Sequence, residues 1–154
     1  MGFIIIDKIK NNNKKIMIFV EGTILKPKHN NIISRICVNS YVPIDNATEK
    51  LKLWQEQGFE ILYLTSLKGR KAMTMAQHLD ELGFVVSMVG YRERNQDYAT
   101  LIKEELPDIL IEDNCKSIGG EKNMCYNLLN DDLKKEIKHI VVEEFKGIDN
   151  VSLY

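Results

Sequence analysis

The chain has 154 residues, 44% of them hydrophobic, which suits one domain around one core and leaves no room for a second full domain. Lys+Arg 21 nearly balance Asp+Glu 22, so no global basic field exists to hold nucleic acid or an anionic membrane surface, and neither is expected as a partner. Three cysteines, Cys37, Cys115 and Cys125, form no close pair of the kind that builds a zinc site or a redox couple, and reduced thiols in a cytoplasmic protein fit best.

The apolar run at 3–6 is too short for a signal-peptide core or a bilayer span. The polar run at 11–15 separates it from the rest of the chain, so residues 1–15 read as an N-terminal extension and 16–154 as a single domain. Residues 16–20 form a continuous apolar run with β-branched members, bounded by Gly22, which predicts a strand buried on both faces of a parallel sheet. Residues 24–43 lack helical spacing. Two β-leaning stretches, 32–38 and 40–42, around a turn at Asn39 predict a small flap or hairpin.

Asn46 and Glu49 have the spacing of a capping box, and Ala47, Leu51 and Trp54 come next on one helical face until Gly58 supplies the stop. Residues 60–64 predict the next strand, ending in Thr65-Ser66. Ala72, Met75, Leu79 and Leu82 then line an amphipathic helix before Gly83. A third buried strand is predicted over 84–89, and a third helix carries Tyr98, Leu101, Ile102 and Leu106 up to Pro107. Residues 108–112 predict the fourth strand. Weaker helical patterns over 121–129 and 132–138 precede a fifth strand at 139–142. Strands alternating with helices imply an α/β fold, a Rossmann-like parallel sheet of about five strands with helices on both faces.

In an open parallel sheet the ligand crevice lies beyond the carboxyl ends of the strands. The polar residues there are Glu21-Gly22-Thr23, Thr65-Ser66, Arg92 and Arg94, and Glu112-Asp113. Carboxylates supply hard oxygen ligands to a divalent cation, and hydroxyls and cations bind the remaining oxygens of a phosphate, so the combination points to a phosphorylated small molecule held with Mg²⁺. Metal ligands would be Glu21, Glu112 and Asp113. Phosphate contacts would come from Thr23, Thr65, Ser66, Arg92 and Arg94.

These runs resemble the motifs of the haloacid dehalogenase (HAD) superfamily. IMIFVEGTIL resembles the first motif, an apolar strand ending in D-x-D-G-T. ILYLTS resembles the second, whose terminal hydroxyl contacts phosphate, and PDILIEDN resembles the fourth, a strand ending in paired acids. Arg92 or Arg94 stands where the third motif carries a cation, usually lysine. The runs FVEGT, WQEQGFEILYLTS, PDILIEDNCKSIGG and EEFKGID further resemble a divergent, functionally uncharacterised branch of the superfamily with F-x-E-G-T at the first motif. The resemblance implies a HAD-like fold over residues 16 to about 145.

One departure is large. Aligning Glu21-Gly22-Thr23 with D-G-T places Phe19 at the nucleophile and Glu21 at the general acid. Phenylalanine can neither attack phosphorus nor bind a metal, so phosphoaspartyl turnover has no evident nucleophile. Asp7 comes after its own isoleucine run but lacks the second acid and the Gly-Thr turn.

Three functional readings are open. The first is a phosphate or nucleotide binder without phosphoaspartyl turnover. The second is an Mg²⁺-dependent phosphoesterase with a metal-activated water and Glu21 as its catalytic acid. The third is an interaction module using the flap at 24–43. Cys115 has no histidine near it in sequence to act as a base, and Gly119-Gly120 with Ser117 reads as a structural turn.

Overall fold

The structure, a computed structural model, describes residues 14–154. Residues 1–13 of the extension expected over 1–15, Asp7 among them, lie outside them, and Lys15 already belongs to the first strand.

The core is a five-stranded sheet in the order β5-β4-β1-β6-β7, with β1 Lys15–Phe19, β4 Glu60–Leu64, β5 Val89–Gly90, β6 Ile109–Asp113 and β7 Lys138–Val142. Every pairing is parallel, and β1 lies in the centre between β4 and β6. Central strands of a parallel sheet are covered on both faces, which is why 16–18, 61–64 and 109–111 read as unbroken apolar runs and are buried throughout.

Alternate side chains go to opposite faces. Ile16, Ile18, Ile61, Tyr63, Ile109 and Ile111 pack on one side with the helices α2 Ala47–Glu56 and α3 Gly69–Glu81, through Ala47, Leu51, Trp54, Met75 and Leu79. Met17, Leu62, Leu64 and Leu110 pack on the other with Ile102 of α4 Tyr98–Glu105 and with Leu133 of α5 Asp131–Glu136.

Five local expectations change. The flap is antiparallel, β2 Leu25–Pro27 against β3 Tyr41–Pro43, but the residues between include the short helix α1 Ile32–Ile36, followed by a 3₁₀ turn Val38–Ser40. Asn31 caps that helix by accepting from the Ser34 N–H at 2.8 Å, a local signal that outweighs the β-branched isoleucines. The capping box at Asn46 does not form: its side chain donates to Asp149 Oδ2 at 3.0 Å and gives no cap bond. Only Val89–Gly90 of the predicted strand at 84–89 joins the sheet; Phe84 and Val85 are buried, with the Val85 carbonyl accepting from the Tyr63 hydroxyl at 2.7 Å. Finally, Leu106 leaves its helix as a left-handed cap, φ 46°, and is exposed, while 121–129 winds as 3₁₀ segments.

The flap is fastened to the body at His78, a buried residue of α3 whose Nε2 lies 2.7 Å from the Tyr41 carbonyl oxygen. That contact holds the flap over the carboxyl end of the sheet.

Candidate functional site

Beyond the carboxyl ends of β1, β4 and β6 the chain encloses a cavity of about 260 Å³. Phe19, at the end of β1, lies on its wall beside Glu21, Gly22, Ser66 and Asp113, with Pro27, Arg35 and Tyr41 contributed by the flap. The strand ends therefore meet at one rim, as the parallel topology requires.

Glu21 is half-buried, and its carboxylate occupies the anion-receiving groups that end β4. Thr65 Oγ1 donates to Glu21 Oε1 at 2.5 Å, Ser66 Oγ donates to it at 3.0 Å, and the Ser66 N–H donates at 3.2 Å. The donors expected to contact phosphate thus hold a carboxylate of the chain itself. Burial pushes the Glu21 carboxyl above its ordinary range, and these hydrogen bonds offset only part of that rise.

Asp113 ends β6 in the same way. Its Oδ2 accepts from the buried Thr23 hydroxyl at 3.1 Å and its Oδ1 from the Cys115 N–H at 2.8 Å. Desolvation again raises its pKa, with Glu144 adding repulsion. Gly22 is required between these groups: its φ is +87°, and a Cβ there would lie 2.7 Å from Asp113 Oδ2.

Glu112 and Asp113 are sequence neighbours on one strand, so the pleat sends them to opposite faces. Glu112 goes with Leu110 toward α4. Its Oε1 accepts from the Cys125 N–H at 2.6 Å and its Oε2 from the Tyr126 N–H at 3.0 Å, while His139 Nε2 stands 2.8 Å from Oε2. The His139 ring stacks on Tyr126, centroids 4.0 Å apart. Glu112 is thereby tied into the packing between β6, β7 and the 3₁₀ segment at 125–128. Among the described residues no three His, Cys, Asp or Glu side chains converge as a metal site. The residues present do not fit the Mg²⁺ expected from the motifs, because Glu112 turns to the opposite face from Asp113 and bonds to Cys125, Tyr126 and His139, and the first position is a phenyl ring.

Arg92 and Arg94 are placed differently. Arg92 stacks on the Tyr98 ring, Cζ 4.1 Å from its centroid, and its buried Nε has no hydrogen-bond partner. Tyr98 in turn meets Phe19 edge to face at 5.5 Å. Arg94 is exposed.

The sequence reading missed Glu144, Arg35 and the aromatic wall. Glu144 Oε1 accepts from the Ser117 N–H and Oε2 from the Ser117 hydroxyl, both at 2.8 Å, so the loop at 115–120 is closed by an acid beyond β7. Phe145, next to it, has φ 65° and donates its N–H to the Gly22 carbonyl at 2.8 Å. A polar residue just after the last strand, in the run EEFKGID, was the available signal. Arg35 carried none, because it lies in a segment read as a strand. Cys115 lines the cavity with its thiol pushed up to about 12 by burial and neighbouring acids, the reverse of an activated nucleophile.

No family model matches the chain and no curated protein matches it significantly. Solved structures do. A chain of the Pnkp1/Rnl/Hen1 RNA repair complex superposes with a TM-score of 0.61 at 13% identity over 85% of this chain and 43% of that one, so this chain spans less than half of that neighbour. The class C acid phosphatase of Bacillus anthracis with tungstate bound gives 0.57 at 14% identity, covering 95% of this chain and 75% of that one. The D,D-heptose 1.7-bisphosphate phosphatase of B. bronchiseptica, complexed with magnesium and phosphate, gives 0.51 at 8% identity over 86% and 94%. These likenesses define the class: a five-stranded parallel α/β fold of HAD-like type. Among the described residues no helix is long and apolar enough to cross a membrane.

Proposed function

We propose that this chain is a small-molecule-binding protein on a HAD-like scaffold, without phosphoaspartyl turnover, whose ligand occupies the cavity at the carboxyl end of the sheet. The observation that carries this reading is the position of Phe19. It stands at the end of the central strand, on the cavity wall, packed edge to face on Tyr98, where the motif alignment would put the attacking carboxylate.

Ligand pockets are concave and mostly apolar with a few fixed polar groups, and this cavity has that composition. At about 260 Å³ it falls below the roughly 300–1,000 Å³ typical of drug-sized ligands, which favours a small ligand over a nucleotide. A phosphate ester, the ligand that the sequence motifs suggest, would have to displace Glu21 from Thr65 and Ser66 before using their donors. An Mg²⁺-dependent phosphoesterase has less support, since Glu112 is committed to Cys125, Tyr126 and His139.

The test is an assay of the purified full chain against a panel of phosphate monoesters with Mg²⁺, read beside thermal stabilisation by the same compounds. The proposal predicts no phosphate release above the blank. Turnover that is lost in both Glu21→Gln and Asp113→Asn would overturn it in favour of the esterase.

A further inference from the structure

The rim of the cavity is unusual in the groups it leaves unspent. The strand-end and loop N–H and O–H groups that could receive an anion are already engaged, Thr65 and Ser66 by Glu21, Thr23 and the Cys115 N–H by Asp113, Ser117 by Glu144, which leaves the guanidinium groups of Arg35 and Arg92 as the remaining donors. The acceptors are not exhausted. A carboxylate offers about four lone-pair sites, whereas Asp113 and Glu144 each take two bonds, and Glu21 Oε2 takes only a long one, 3.4 Å from Ser66 N.

Charge runs the same way. Three acids with spare acceptor positions line the cavity, Glu21, Asp113 and Glu144, against the guanidinium of Arg35, while that of Arg92 stacks on the Tyr98 ring. Neither of the two ion pairs found among the described residues, Lys15–Glu105 and His139–Glu112, neutralises Glu21, Asp113 or Glu144. Desolvation holds Glu21 and Asp113 above their ordinary carboxyl range, and no cation is among the influences that lower either.

The walls are aromatic. Phe19, Tyr41, Tyr98 and Phe145 reach the cavity from four different segments of the chain. Aromatic faces with carboxylates behind them attract a cation whose charge is spread over an apolar surface. A phosphate would meet a negative rim whose strand-end hydroxyls and N–H groups are taken.

We infer that the cavity binds a small organic cation, an alkylammonium or quaternary ammonium group, seated between the aromatic wall and the carboxylates of Glu21, Asp113 and Glu144. This deepens the non-turnover binding reading and rests on it.

Isothermal titration of the full chain compares choline with its uncharged carbon isostere 3,3-dimethylbutan-1-ol, and with inorganic phosphate. Choline is expected to bind about tenfold more tightly than the isostere. Phe19→Leu, which keeps an apolar side chain but removes the ring, and Glu144→Gln, which keeps an acceptor for Ser117 but removes the charge, should each weaken choline severalfold. Circular dichroism of each variant establishes that it is folded, and two variants on separate segments keep the test usable if one is not. Equal affinity for choline and the isostere would overturn the charge recognition. Binding of phosphate but not choline would overturn the cation while sparing the binding reading, and failure of all three probes would also overturn it. Phosphate-ester turnover in the separate assay would instead strike the non-turnover reading.

Discussion

Ser66 gives both its backbone N–H and its hydroxyl to the Glu21 carboxylate, at 3.2 and 3.0 Å, so the end of β4 grips an acid from the end of β1. With Thr65 adding a third donor, this contact decides what the rim can bind. A group that reads in sequence as a phosphate cradle is folded around a side chain.

Thr65→Val should lower stability. It strips a buried donor from Glu21 and an acceptor from the Leu67 N–H at 3.2 Å. Leaving such buried groups unpaired costs about 1–3 kcal/mol. Equilibrium denaturation in urea measures this, and an unchanged midpoint would refute the importance of the contact.

The pH dependence arises from the two raised carboxyls. Glu21 and Asp113 titrate above their ordinary values of 4.5 and 3.8 in the folded chain. An acid of this kind binds its proton more tightly when folded, so its contribution is fully present below the unfolded pKa and is lost as pH rises through the folded one. Stability contributed by this pair therefore declines with rising pH above the ordinary carboxylate range. Glu21→Gln, uncharged at all pH values, should flatten that decline; calorimetric Tm values from about pH 4 to pH 8 would show it. A decline as steep in the variant as in the parent chain would be the contrary result.

Gly22→Ala combines a left-handed φ with a Cβ 2.7 Å from Asp113 Oδ2. The conformation alone costs about 1–3 kcal/mol, and the clash adds to it. A Tm within experimental error of the parent would show that the turn adapts without loss.

Glu112→Ala removes the acceptor shared by Cys125, Tyr126 and His139 and should cost about 1–3 kcal/mol, as leaving buried donors unpaired does. Glu112→Gln, which keeps an acceptor oxygen, should cost much less. Mg²⁺ should shift the Tm of neither variant nor of the parent chain. A shift seen in the parent and lost in Glu112→Gln would restore this residue to a metal site.

Cysteine labelling separates the thiols. Cys37 is exposed, Cys125 is buried, and the Cys115 thiol is pushed up to about 12. Only the thiolate reacts, so iodoacetamide at about pH 8 should modify Cys37 well before Cys115. Mass spectrometry reads the order, and a faster Cys115 would mean that its surroundings favour the anion.

The sheet was legible because parallel strands buried on two faces leave continuous apolar runs, as at 16–18 and 109–111. Helices α2 and α3 were legible from their periodic faces at Ala47, Leu51 and Trp54 and at Ala72, Met75 and Leu79. Short-range signals were weaker. Residues 84–88 are apolar because Phe84 and Val85 fill the core next to the sheet, which composition cannot distinguish from pairing within it. The motif reading brought Glu21, Thr23, Ser66 and Asp113 to one rim, yet it could not show that the acids and hydroxyls bond to each other. That depends on side-chain reach and pleat direction, which also separate Glu112 from Asp113. Glu144 and Arg35 enter only through tertiary contacts that their own segments do not announce.

Whether an aspartate at this rim accepts a phosphoryl group is read by ¹⁹F NMR of the full chain with beryllofluoride and Mg²⁺, since beryllofluoride mimics a phosphoryl group on an aspartate nucleophile. With Phe19 at the end of β1, only resonances of free fluoroberyllates should appear. Protein-bound resonances that vanish in Asp113→Asn would instead make Asp113 a phosphoryl acceptor.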